Sequence, residues 1–285
     1  MPTEQTAVLL LLFALLTLAN LARVAIRGRF PLATYLGTTW AFFLCFAVTR
    51  MVSLAVGVWV LALVSFVALR EYFSLINVRL QDRVGILGAY LAIPFMFYFV
   101  LIDWYGMFII SIPVYAFLAI PLLITLGGRQ VQGTVFSIGA IDFGLFLFVF
   151  CMGHVGYLMR FSIWMAVMLI LSVALCDIAA AVIERWTLTR GMSLGLRVAI
   201  AAPFVVALTV LLSPWTAIPL NHSIWLGLMI PVLAVMGQHT SGYIEADLGI
   251  REDDLLPGRG QYIDNLKSLL FAAPVVFHYI RYFLT

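Results

Sequence analysis

Between Gly237 and Thr285 the chain changes character. Nearly everything before this stretch is apolar, whereas Glu245, Asp247, Arg251, Glu252, Asp253, Asp254, Arg259, Asp264 and Lys267 crowd together here. Six of the thirteen acidic residues of the whole chain, Glu245, Asp247, Glu252, Asp253, Asp254 and Asp264, fall in it. A charged segment broken by Pro257, Gly258 and Gly260 and wedged between apolar runs either lines an aqueous cavity or lies at a membrane interface. Any chemistry this chain does belongs there. The forked donors of arginine fit phosphate oxygens. Arg185, Arg190, Arg251 and Arg259, with Arg70, are therefore candidate ligands for an anionic phospholipid headgroup. The competing explanation is a charged interfacial loop that caps a helical bundle and sets its orientation.

Two further carboxylates lie inside apolar runs, Asp142 and Asp177. A carboxylate at membrane depth is costly unless it pairs, binds a cation or takes up a proton, so each faces protein or water rather than lipid. For Asp142 a packing role is the simpler account. Asp177 and Glu184 are seven residues apart with Ala181 between them, which puts all three on one helix face. Small residues on such a face let another helix or a ligand come close. No GxxxxGK[ST] phosphate loop is present. Cys45, Cys151 and Cys176 all sit in apolar runs, with a spacing that fits neither a metal site nor a disulfide framework.

These residues must be positioned by membrane helices. Of 285 residues 64% are hydrophobic and 10% charged, against about 45–50% and 25% in ordinary soluble domains. The chain is accordingly read as an all-α, polytopic membrane bundle of about ten transmembrane helices, near 6–26, 32–49, 53–70, 84–102, 105–126, 136–153, 161–183, 196–213, 221–237 and 264–284. The second and third are short and joined by little more than Arg50, so they could equally be a tilted hairpin. Tight joints are expected at Asp103-Trp104 and at Ser213-Pro214-Trp215. With the N-terminus outside, thirteen of the sixteen basic residues fall in cytoplasmic joints, leaving Arg50, Arg160 and Arg281 outside. That asymmetry is the positive-inside rule, and it makes the loop 238–261 cytoplasmic. Trp104, Trp164, Trp215 and Trp225 lie near span ends, as an interfacial belt would. The first span has no basic segment before it and is read as a retained helix. No repeat, linker or appended soluble domain is visible, so residues 1–285 form a single integral-membrane domain, and no nucleic-acid partner is expected.

The run Leu255-Leu256-Pro257-Gly258-Arg259-Gly260, then Asp264-Asn265-Leu266-Lys267-Ser268 and Leu269-Leu270-Phe271-Ala272-Ala273-Pro274, resembles the C-terminal signature of the phosphatidate cytidylyltransferases (CDP-diacylglycerol synthases). Arg70-Glu71-Tyr72-Phe73 and Asp103-Trp104-Tyr105-Gly106 look like the bacterial branch of that family. The resemblance implies 1–80 as N-terminal spans and 81–285 as a cytidylyltransferase-like core in a bacterial inner membrane. It implies the reaction of CTP with phosphatidate to give CDP-diacylglycerol and diphosphate, a step of phospholipid biosynthesis. It also implies Mg²⁺ as cofactor, held by Asp264 and Glu252, with Arg251 and Arg259 acting beside Asp264 in catalysis. Asp177, Arg185, Arg190 and Ser268 would then bind substrate. A homodimer is compatible with the resemblance, though no dimer face is marked.

The sequence departs from the family pattern at charged positions. The family's Lys-Arg pair falls on Glu245-Ala246, its signature His on Arg259, and the second Asp of its D-R-x-D on Lys267, the sole lysine of the chain. Its polar Lys-Thr loop has no counterpart near Thr187–Arg197. Transfer between two multiply charged anions depends on positioning and neutralisation by metal and by Lys/Arg. Lys267, three residues after Asp264, is placed to form an ion pair with it where the family has a metal ligand. Two readings stay open. One is an active cytidylyltransferase-like enzyme, with CTP and Mg²⁺. The other is a catalytically inactive homologue acting as a membrane scaffold or anionic-lipid-binding protein. A transporter is weaker, since no paired broken helices or repeated halves are visible.

Overall fold

The computed structural model describes residues 36–127, 131–187, 193–247 and 261–284, with scattered helical positions between 7 and 21. Every element among these residues is helical. Helices α1 (Leu36–Met51) and α2 (Leu54–Leu75) form a tight hairpin. The Ser53 hydroxyl caps α2 by accepting from the Val56 N–H at 3.3 Å. Gly57 permits the crossing, because a Cβ there would overlap Thr49 Oγ1. A 3₁₀ turn, Leu80–Asp82, leads into α3 (Arg83–Leu101). Arg79 fixes that turn through Asp82 Oδ2 at 2.6 Å and reaches across to Gln132 O and Thr134 Oγ1, 53 and 55 residues further along the chain.

The next two rods each contain a π-helical segment. The first runs α4 (Tyr105–Ile110), π segment Ser111–Ala116, α5 (Phe117–Gly127). Pro113 lacks an N–H, so the regular ladder cannot pass through that position. The second runs α6 (Thr134–Leu145), π segment Phe146–Cys151, α7 (Met152–Phe161). Here the Ser65 hydroxyl of α2 donates to Phe148 O, a side chain inserted into the ladder. This rod continues to Phe161, past the end expected near 153. Gly153 and Gly156 do not break it. They let Phe108 and Val100 approach, at 2.6 and 3.3 Å from where a Cβ would stand.

The chain then folds into α8 (Ile163–Thr187), α9 (Leu194–Thr216), α10 (Leu220–Asp247) and α11 (Gln261–Leu284). The joint between α9 and α10 lies at Ala217–Pro219, beyond the expected Ser213-Pro214-Trp215. Thr216 prolongs the helix: its hydroxyl donates to Leu212 O at 3.2 Å, while Ala217 takes the left-handed turn at φ 58°. Trp164 is buried and packs against Trp215 with ring centroids 5.0 Å apart and planes tilted by 50°. The three cysteines are free and buried, as expected.

Among the described residues seven helical stretches are long and apolar enough to cross a membrane: Leu54–Leu75, Leu80–Leu101, Tyr105–Leu126, Thr134–Phe161, Ile163–Ala180, Leu194–Thr216 and Leu220–Asp247. The protein is a membrane protein, and all of its secondary structure among the described residues is helical. Helix α11 sits at its centre and packs on α1, α2, α7, α8 and α10. It buries Leu266, Leu269, Leu270, Ala273, Val276, Phe277 and Ile280, the stripe expected at i, i+3, i+4 and i+7.

Candidate functional site

Three helices bring polar side chains together: the middle of α8, the last third of α10 and the first turns of α11. On α11, Asp264, Lys267 and Ser268 stand at i, i+3 and i+4 and so share a face. On α10 the helix does not stop where the apolar run ends near Gly237. It continues to Asp247 through a polar sequence that has no proline and a single glycine, Gly242, whose cost of about 1 kcal/mol the helix absorbs. This extension carries Gln238 and Glu245, seven residues apart, onto the face that meets α11.

Asp177 is the buried acid of the group, 5% exposed. Its Oδ1 accepts a hydrogen bond from Ser268 Oγ at 2.7 Å and another from Gln238 Nε2. A buried carboxylate needs such donors, since an uncompensated one costs several kcal/mol. One end of the cluster is thus a carboxylate satisfied by neutral donors from two other helices.

The other end is an ion-pair triad. Lys267 Nζ pairs with Asp264 Oδ1 and lies 3.6 Å from Glu245 Oε2. The three side chains are 17%, 18% and 13% exposed, so the pairs are largely shielded from water. Gly237 sets the close approach that makes this possible. A Cβ there would stand 2.6 Å from Lys267 O and 3.1 Å from Ser268 Cα. Beside Asp177 a cleft of about 60 Å³ opens between α1, α8 and α11. Thr39, Asp177 and Asn265 give it polar walls, while Phe42, Ile170, Val173 and Leu269 give it apolar ones.

Of the residues singled out in the sequence, Asp177, Asp264 and Ser268 come together here. Arg251, Glu252 and Arg259 lie outside the described residues, as does Arg190, and the Arg185 side chain is likewise outside them. Asp142 stands apart on α6, with both carboxylate oxygens shielded and no hydrogen-bond partner for either. Sequence reasoning missed Gln238 and the pairing of Glu245, because it ended the ninth span at 237. The seven-residue interval from Gln238 to Glu245 was the available signal. Glu245 and Lys267, two positions where the sequence reverses the charge of the family pattern, turn out to be partners.

The described residues of the cluster do not by themselves fit the Mg²⁺ that the resemblance implies, and Glu252, the other ligand it names, lies outside the described residues. Mg²⁺ takes octahedral oxygen ligation at close range, but an ammonium already lies between the two carboxylates. Among the described residues no group of three or more His, Cys, Asp or Glu side chains could hold a metal ion.

Residues 189–283, which contain α9, α10 and α11, match the cytidylyltransferase family. An uncharacterized Escherichia coli protein, YnbB, is 26% identical, with 95% of this chain and 96% of that protein covered. A phosphatidate cytidylyltransferase of Synechocystis sp. is 32% identical over 56 residues, 19% of each chain. No solved structure matches the chain with statistical significance. Over residues 189–283, then, this chain is similar to the cytidylyltransferase family, and a shorter stretch is similar to a phosphatidate cytidylyltransferase.

Proposed function

We propose that the protein is a membrane protein of the cytidylyltransferase family that binds an anionic phospholipid headgroup and does not carry out metal-dependent cytidylyl transfer. The observation that carries this reading is the Asp264–Lys267–Glu245 triad. Phosphoryl-type transfer to or from a triphosphate requires metal and cationic groups on the phosphate oxygens. In the triad the ammonium is committed to two carboxylates, and the local field is acidic. Lipid binding is supported by the arginines that the charge asymmetry puts on one side of the membrane, since their forked donors suit phosphate oxygens; the cleft of about 60 Å³ at Asp177 and Asn265 is too small to hold a headgroup by itself. Arg70, Arg185, Arg190, Arg251 and Arg259 are the headgroup ligands in this reading, with Ser268 and Asp177, joined by a hydrogen bond, as further substrate-binding residues. The same reading counts ten spans in a single domain, adding α1, α11 and the segment 6–26 to the seven above. It places 238–261 on the cytoplasmic side of a bacterial inner membrane, on the strength of thirteen basic residues against three.

The family match over 189–283 favours a second reading, CTP-dependent transfer to phosphatidate with Asp264, Arg251 and Arg259 at the reacting groups. One set of measurements separates the two. Native mass spectrometry of the purified protein should retain phosphatidate over a zwitterionic lipid, and diphosphate release from CTP and short-chain phosphatidate in Mg²⁺ should stay at background. Equal retention of both lipids would overturn the first reading, and Mg²⁺-dependent diphosphate release would establish the second.

A further inference from the structure

We infer that Lys267 is itself the cation of this site, a tethered ammonium standing where a divalent metal would otherwise bind, so that the site is indifferent to Mg²⁺ and Mn²⁺. The inference rests on reading the α8–α10–α11 cluster as the functional site, but not on which lipid occupies it.

The geometry is that of a cation site with its occupant built into the chain. Glu245 reaches in from α10 and Asp264 from α11, and both converge on one nitrogen. Two carboxylates aimed at one point from different helices repel each other strongly in a shielded environment, and a cation between them removes that repulsion. The ammonium is an ordinary cation for this purpose, with three donors to give. It differs from a dissolved metal ion in being attached. Its effective concentration at the carboxylates is that of an intramolecular ligand, in the millimolar range or above, and it cannot diffuse away when metal is scarce.

The surrounding packing holds the arrangement in place. Gly237 brings α10 so close to the Lys267–Ser268 backbone that a single methyl group would not fit. Asp177, the next acid, already accepts from Ser268 and Gln238, so its Oδ1 is not an idle third ligand for a metal. A metal ion would have to expel the ammonium from a largely buried position and find oxygen ligands beyond the two that it vacates.

The experiment is Mn²⁺ binding to the purified full-length chain in detergent, read by paramagnetic resonance and by thermal unfolding with and without millimolar Mn²⁺. The wild type should bind no more Mn²⁺ than its D264N variant, and its Tm should not move with the metal. K267R, which keeps the positive charge, should behave the same way. K267M should take up one Mn²⁺ per chain and gain Tm when the metal is added. E245Q/K267M, with one carboxylate removed, should lose that uptake. Wild-type binding of Mn²⁺ that D264N abolishes would overturn the inference, whatever becomes of the K267M protein. A folded K267M that binds no Mn²⁺ would overturn it as well. Neither readout involves lipid, so failure of selective phosphatidate retention would remove the proposed function and leave this inference standing.

Discussion

Alanine at Gly237 is the sharpest probe of what holds the site together. A Cβ there would lie 2.6 Å from Lys267 O, 3.1 Å from Ser268 Cα and 3.2 Å from Phe271 Cβ. Even favourable C···O contacts lie at about 3.3–3.6 Å, so α11 would have to retreat by roughly 0.7 Å or more at the carbonyl. Two of the three atoms in the way belong to backbone and cannot rotate aside. Overpacking of this kind costs about 1–3 kcal/mol. Alanine returns about 1 kcal/mol of helix propensity, which leaves G237A destabilised by about 1 kcal/mol. Gly242 on the same helix supplies the control, since nothing lies within 4 Å of its Cβ position. G242A should therefore gain the propensity term alone. The two alanines should differ by about 2 kcal/mol, or about 4–8 °C in Tm at the usual 2–4 °C per kcal/mol. Thermal unfolding of each variant in the same detergent measures the difference. A G237A protein as stable as G242A would show that the α10–α11 contact does not set the spacing of the site.

Removing the Ser268 hydroxyl in S268A takes one donor from a buried carboxylate and should cost about 1–3 kcal/mol by the same assay, with Gln238 left as a donor to Asp177. A neutral S268A would mean that the Ser268–Asp177 bond is not made in solution. The triad can be tested by exchanging its charges. E245K and K267E should each lower Tm, the first by setting like cations together and the second by adding a third acid. The double variant should recover much of the loss, giving a coupling of about 0.5–3 kcal/mol. Purely additive losses would show that Glu245 and Lys267 do not interact.

Most helix positions were legible because the apolar runs are long and their joints tight. The expected 84–102, 105–126 and 264–284 correspond to Arg83–Leu101, the rod beginning at Tyr105 and Gln261–Leu284. The joint at Asp103-Trp104 falls where expected, with Asp103 taking a left-handed turn at φ 59°, a conformation that a short polar side chain tolerates. The misplaced ends share one cause. Hydropathy marks where a chain leaves the apolar region, whereas backbone hydrogen bonding decides where a helix ends. At Gly237 those two boundaries differ by ten residues, and two residues of the candidate site, Gln238 and Glu245, lie in the interval. The π segments were not legible either, because the one at Phe146–Cys151 depends on a hydroxyl from Ser65, eighty-three residues away from Phe148.

Composition and the placement of charge were enough to make this a helical membrane protein, and the Pro257–Pro274 signature was enough to point to the cytidylyltransferases, whose family model matches residues 189–283. Those properties depend on residue type and on neighbours close in sequence, which a linear chain displays. The sequence also placed Asp264 and Lys267 together, since a helix puts i and i+3 side by side. It could not pair Glu245 with Lys267, or Ser268 with Asp177 ninety-one positions earlier. Those contacts depend on which helices pack together and how closely. That spacing is set by Gly237, where the missing side chain lets α10 settle against the backbone of α11. Read along the chain, Glu245 and Lys267 are two separate reversals of a charged motif. The packing of α10 on α11 makes them one ion pair.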